Sequence, residues 1–92
     1  MNTILNLPLK AKWYNMIENG EKKEEYREIK PYWIKRLLDG GKKFDIVKFS
    51  YGYTKKTMEF KCLGISKGLG NKDWGAPTNS NVFIIKLGKR LK

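Results

Sequence analysis

The sequence has no histidine and one cysteine in 92 residues. Imidazole is the side chain most suited to proton transfer near neutral pH and a leading zinc ligand, so its absence nearly excludes histidine-based catalysis and the ordinary zinc sites. No metal or cofactor is expected. The lone thiol, Cys62, cannot close an internal disulfide, and its place in an apolar alternating stretch predicts a buried, inert group. Long apolar runs are missing too: nothing approaches the roughly twenty residues a membrane helix needs. The N-terminus lacks the basic, apolar, small-residue order of a secretory leader. These absences set the expectation of a soluble cytoplasmic chain with no membrane partner. Repeats, low-complexity segments and linkers are also absent, so residues 1–92 read as a single domain with little apolar surface to spare.

Acids are scarce, nine against twenty bases, for a net charge of +11. Their placement is uneven, with five of the nine lying between residues 18 and 28. A basic body with one mixed-charge segment suits a polyanionic partner, whose phosphates it neutralises with release of counterions. The competing explanation is a solubility charge distributed over all faces.

What is present orders itself into elements. Thr3 to Pro8 reads as a short strand, with Pro8 ending its ladder. Residues 9–19 place Leu9, Trp13, Met16 and Ile17 at helical spacing, which makes Trp13 a core residue and lets Tyr14 reach the surface. Gly20 stops that helix. In the segment 31–39, Pro31 opens and Gly40-Gly41 closes a second short helix, with Trp33, Ile34, Leu37 and Leu38 as its buried stripe and Lys35 and Arg36 outside. Residues 44–51 and 57–65 read as an antiparallel hairpin turning at 52–56, and 81–87, with its run Val82-Phe83-Ile84-Ile85, as a central strand. A glycine-rich loop, residues 68–77, precedes that strand, and a basic tail, 88–92, reads as frayed. Strands with two helices near the front, and no βαβ rhythm, predict an α+β fold built as a small barrel.

One stretch is unlike the rest. Residues 20–27 read Gly-Glu-Lys-Lys-Glu-Glu-Tyr-Arg. As a strand over 23–28, it puts Lys23, Glu25 and Arg27 on one face and Glu24, Tyr26 and Glu28 on the other, so neither face is apolar. Charge on both faces of a strand in so small a domain points to a binding cleft or a protected sheet edge. Arg27 offers a planar fork for phosphate or carboxylate and Lys22 a mobile point charge near a helix end. Glu25 can orient either base, accept a nucleobase amino hydrogen, or take up a proton. An internal Glu25–Arg27 ion pair that only holds the strand is the alternative. Aromatic candidates for stacking are Tyr51 and Tyr53, flanking Gly52 at the hairpin end, and Trp74 in the glycine-rich loop, where a packed loop anchor is the other reading. Tyr26 and Tyr32 follow behind them.

The spacing Gly20, Lys22, Glu25, Arg27 resembles the Gly-x-Lys-x-x-Glu-x-Arg signature of the ASCH domain, a small barrel related to the PUA RNA-binding fold. The similarity covers nearly the whole chain, including the Leu7–Gly20 lead-in and the strand opening at Phe44-Asp45-Ile46-Val47. Trp33 to Leu37 and Asp73-Trp74-Gly75-Ala76-Pro77 resemble small bacterial and phage members. The resemblance implies a five- or six-stranded PUA-like β-barrel with two short helices in its N-terminal half. It also implies a cleft lined by the signature, which accepts RNA, single-stranded nucleic acid or a nucleotide. Some ASCH proteins instead remove the acetyl group from acetylated cytidine, with a catalytic lysine matching Lys22 and a threonine where this chain has Glu25. A carboxylate more naturally activates water than attacks a carbonyl, so that mechanism does not transfer unchanged. Others resemble ribonucleases, for which Lys22, with Tyr51 moving protons, would stabilise charge on phosphate. Binding without chemistry and a small hydrolase using Lys22 and Glu25 are therefore the two readings; a role in protein interaction alone has no positive feature beyond surplus charge. The sequence does not give the oligomeric state.

Overall fold

The computed structural model describes residues 3–38 and 43–92. The order is strand β1 (Ile4–Leu9), helix α1 (Ala11–Glu18), β2 (Glu24–Glu28), α2 (Pro31–Leu37), β3 (Ile46–Tyr51), β4 (Thr57–Leu69), a 3-10 turn (Lys72–Trp74) and β5 (Asn81–Arg90). The fold is α+β, as expected, with both helices in the N-terminal half. The Gly40-Gly41 stop assigned to α2 lies outside the described residues.

The five strands form one curled sheet in the order β1-β3-β4-β5-β2. β1 runs parallel to β3, and every other pair is antiparallel. The curl originates in β4, which pairs with β3 through residues 57–61 and with β5 through residues 60–69. Register shifts on either side of Cys62, with Gly64 at φ +144, bend the long strand between its two partners. Side chains on the concave face fill the interior: Leu5, Leu7, Val47, Phe49, Met58, Phe83 and Ile85 are fully buried, with Tyr14 and Ile17 of α1 packed among them. A second, smaller cluster joins Tyr26, Ala76 and Val82, with Trp74 and Ile84 against it.

β1 and β2 are the two edges, and no ladder joins them among the described residues. Side chains partly fill the gap. The carbonyls of Thr3 and Leu9 accept from the β3 side, so the alternate residues Asn6 and Pro8 turn their backbone groups outward. Arg36 donates to the Asn6 carbonyl (3.1 Å) and Arg27 to that of Pro8 (3.3 Å). Both guanidiniums lie over the Trp33 ring, at 5.2 Å for Arg27 and 6.0 Å for Arg36.

Several sequence expectations need correction. Pro8 does not end β1, because on an outward-facing edge position a missing N–H costs no ladder bond. The buried residues of α1 are Tyr14 and Ile17, not Trp13, which is half-buried. α2 buries only Leu37 and part of Trp33, while Ile34 (36%) and Leu38 (41%) are exposed; so short a helix presents one row of side chains to the sheet. Arg36 belongs to the seam just described rather than to open solvent. The tail is not frayed: Leu91 donates to the Glu59 carbonyl (2.7 Å) and Glu59 to that of Lys92 (3.0 Å). Cys62 is half-buried rather than buried, and burial pushes its thiol up from the ordinary value. No described helix is long and apolar enough to cross a membrane.

Candidate functional site

The turn after α1 delivers the signature. Gly20, at φ +86, takes the left-handed conformation that ends the helix, and the amides of Glu21 and Lys22 fold back onto the Met16 carbonyl. The chain then enters β2, which lies beside β5 with Glu25 opposite Ile85 and Arg27 opposite Phe83. Alternation sends Glu25 and Arg27 to one side, as the sequence predicts, and Lys22 approaches them from the turn.

These three side chains form one connected group. Lys22 Nζ lies 3.1 Å from Glu25 Oε1, and Arg27 Nη2 lies 2.7 Å from Glu25 Oε2. Lys22 also donates to the Trp74 carbonyl, and its ammonium lies 5.0 Å from the Trp13 ring centroid and 4.9 Å from that of Tyr26. Lys22 is 2% exposed and Glu25 5%, so the pair is removed from water, while Arg27 retains about a fifth of its side-chain surface. Lys22 is therefore not the mobile charge that the sequence suggested. Burial holds its pKa below the ordinary lysine value, and the attraction and hydrogen bond of Glu25 act against that fall.

The loop after β4 is fixed by its own local chemistry. The Tyr26 hydroxyl donates to Glu24 Oε1 (2.7 Å) and accepts from the Asn71 amide (2.9 Å). The Asn71 side chain in turn accepts from the Asp73 amide (2.9 Å), closing the 3-10 turn that presents the Trp74 carbonyl to Lys22. Two glycines are required. A Cβ at Gly70 would stand 2.7 Å from both Ala76 Cβ and Tyr26 Cε1, and Gly75 at φ +102 would meet the Trp13 ring at 3.1 Å. Burial, reinforced by Glu24, raises the Tyr26 hydroxyl to about 12.

A cleft of about 450 Å³ opens over this group, lined by Pro8, Leu9, Lys10, Trp13, Lys22, Glu25, Tyr26, Arg27, Gly52, Tyr53, Trp74 and Gly75. Three of these residues are basic and one is acidic. Tyr53 sits on the β3–β4 turn and is 96% exposed, an uncovered ring beside the cleft. The cleft thus brings together Lys22, Glu25, Arg27, Tyr53 and Trp74, five of the six residues singled out in the sequence.

Tyr51 is not among them. Its ring packs edge-to-face on Tyr14 at 5.3 Å, because position 51 still belongs to β3 and its side chain turns toward the core. The sequence reading also missed Trp13, which was assigned to the core and instead walls the cleft. In Trp13-Tyr14 either ring can supply the inward position, and apolar periodicity cannot choose between adjacent aromatics. Lys10, an exposed base that no sequence motif marks out, lines the cleft as well. No protein-family model matches the chain, and no curated protein matches it.

Proposed function

We propose that this protein binds RNA or a nucleotide in the cleft above Lys22, Glu25 and Arg27, as a PUA-like domain of the ASCH type. The observation that carries this reading is the buried Lys22–Glu25–Arg27 group at the base of an aromatic-walled cleft. Two cations share one carboxylate, which leaves the group a net positive charge, with Lys10 adding another. A phosphate placed near Arg27 meets a guanidinium already held in position, and bases meet the Tyr53 ring without displacing packed structure. The net charge of +11 favours a polyanion at longer range. The curled sheet, with helices confined to the N-terminal half, is compatible with a PUA-like barrel.

The test is binding of single-stranded RNA and of free nucleotides to the wild type, Tyr53→Ala and Arg27→Ala, across a salt series. Loss of one stacked base corresponds to about 1–3 kcal/mol, so Tyr53→Ala should weaken binding by roughly 5- to 150-fold. Arg27→Ala should weaken it and flatten its salt dependence. Binding that is the same in both variants and the wild type refutes the proposal.

A hydrolase is the second reading, and the 3.1 Å approach of Lys22 Nζ to Glu25 Oε1 at the base of the cleft favours it, with burial lowering the Lys22 pKa from its ordinary value. Acetylated cytidine and single-stranded RNA should then be turned over, and Lys22→Met should abolish the reaction. Absence of turnover in the wild type leaves binding alone.

A further inference from the structure

We propose that the cleft is one half of a longer trough, and that its natural occupant is a single-stranded oligonucleotide spanning both halves rather than a lone nucleotide. This rests on the nucleic-acid reading above and extends it. A second hollow of about 760 Å³ lies next to the first, with Glu28, Lys30, Trp33, Ser80 and Asn81 in its lining. Tyr26, Arg27 and Gly75 belong to both linings. The two hollows therefore meet at a saddle formed by one cation, one ring and one residue with no side chain.

Cationic and polar groups continue on either side of that saddle. The first half offers Trp13, Trp74 and Tyr53 as rings, with the exposed Lys10 as its base. The second offers Lys30 as its base and the exposed Ser80 and Asn81 as hydrogen-bonding groups, while its Trp33 ring is already covered by Arg27 and Arg36. Cations and polar groups that run along an open path past exposed rings are how sequence-tolerant single-strand binders are built, with charge following the backbone and rings taking unpaired bases. Arg27 stands at the junction. Its Nη2 serves Glu25 and Pro8, its plane lies over Trp33, and about a fifth of its side-chain surface is open to solvent. A guanidinium tied to both halves suits the phosphate between two successive nucleosides. The one acid in the second half, Glu28, lies at the outer limit of contact with Lys30, 4.0 Å, with 78% of its side chain in solvent. It does not neutralise the path.

A mononucleotide fills only the first half, so length dependence separates the two cases. The intact protein is titrated with uridine monophosphate and with an eight-residue oligouridylate, in the wild type, Lys30→Glu and Lys89→Glu. The last makes the same charge change outside both hollows. The proposal expects at least tenfold tighter binding of an octamer than of the mononucleotide at equal salt. It also expects Lys30→Glu to weaken the octamer at least fivefold and more than Lys89→Glu does, with mononucleotide binding unchanged. Equal affinity for octamer and mononucleotide, or equal effects of the two lysine variants, overturns the trough. If Tyr53→Ala still weakens the mononucleotide, the single-cleft function survives that failure. If neither probe binds, both fall together.

Discussion

Replacing Glu25 with glutamine keeps the size of the side chain and removes the carboxylate that both Lys22 and Arg27 contact. Lys22 is 2% exposed and has no water to turn to. Breaking a buried pair by neutralising one partner costs about 3–5 kcal/mol, a large part of the 5–15 kcal/mol typical of a whole domain. With a urea slope of about 1–3 kcal/mol/M, the unfolding midpoint should drop by about 1 M or more. The pH dependence is the sharper signature. Burial already holds the Lys22 pKa below its ordinary 10.5, and loss of the Glu25 attraction lowers it further. Between the folded and unfolded values the unfolded chain binds more protons, so stability rises with pH across that window. The window is wider in Glu25→Gln, and the deficit relative to wild type should shrink as pH climbs from 7 toward 10. Urea unfolding followed by tryptophan fluorescence at both ends of that range measures it. A further Lys22→Met substitution removes the stranded charge and should restore much of the loss. A deficit under about 1 kcal/mol, the worth of an exposed pair, or one that does not change with pH, refutes the claim that this group is desolvated.

Two other outcomes follow from the loop. Tyr26, raised to about 12, favours the folded state below pH 10 and loses that contribution as pH rises from 10 through 12. Tyrosine absorbance should show a late-ionising component that Tyr26→Phe reduces, leaving the part that belongs to buried Tyr14, whose hydroxyl burial also raises; a late component unchanged in Tyr26→Phe contradicts it. Gly70→Ala forces a methyl to within 2.7 Å of Ala76 and Tyr26 and should destabilise the protein by about 1–3 kcal/mol by thermal or urea unfolding. A variant of unchanged stability means that the loop does not pack against β2 as described.

The elements were legible where one physical rule dominates. Alternation in Glu24–Glu28 places Glu25 and Arg27 together, and a continuous apolar run puts β5 between two partners. The misreadings share a cause, in that local rules were outvoted by partners distant in sequence. Pro8 is tolerated because its backbone faces outward from the edge strand, and an arginine nineteen residues away takes its carbonyl. The mobility expected of Lys22 is removed by the Trp74 carbonyl, fifty-two residues on. Tyr51 and Tyr53 flank one glycine and look equivalent on paper, yet the first ends a strand and the second stands outside it. The bulges around Cys62 that curl the sheet have only Gly64 as a local sign.

The seam between β1 and β2 reaches beyond the cleft. The outward carbonyls of Asn6 and Pro8 would otherwise invite a strand from a second molecule, and each is occupied by a guanidinium resting on the same indole. Trp33 therefore acts as a keystone shared by two locks. Loss of that ring, by mutation to alanine, should loosen Arg36 from the Asn6 carbonyl while Arg27 stays tied to Glu25, and so open part of the β1 edge to a strand from a second molecule. The colloidal fate of a protein carrying +11 charges would then turn on one uncharged side chain.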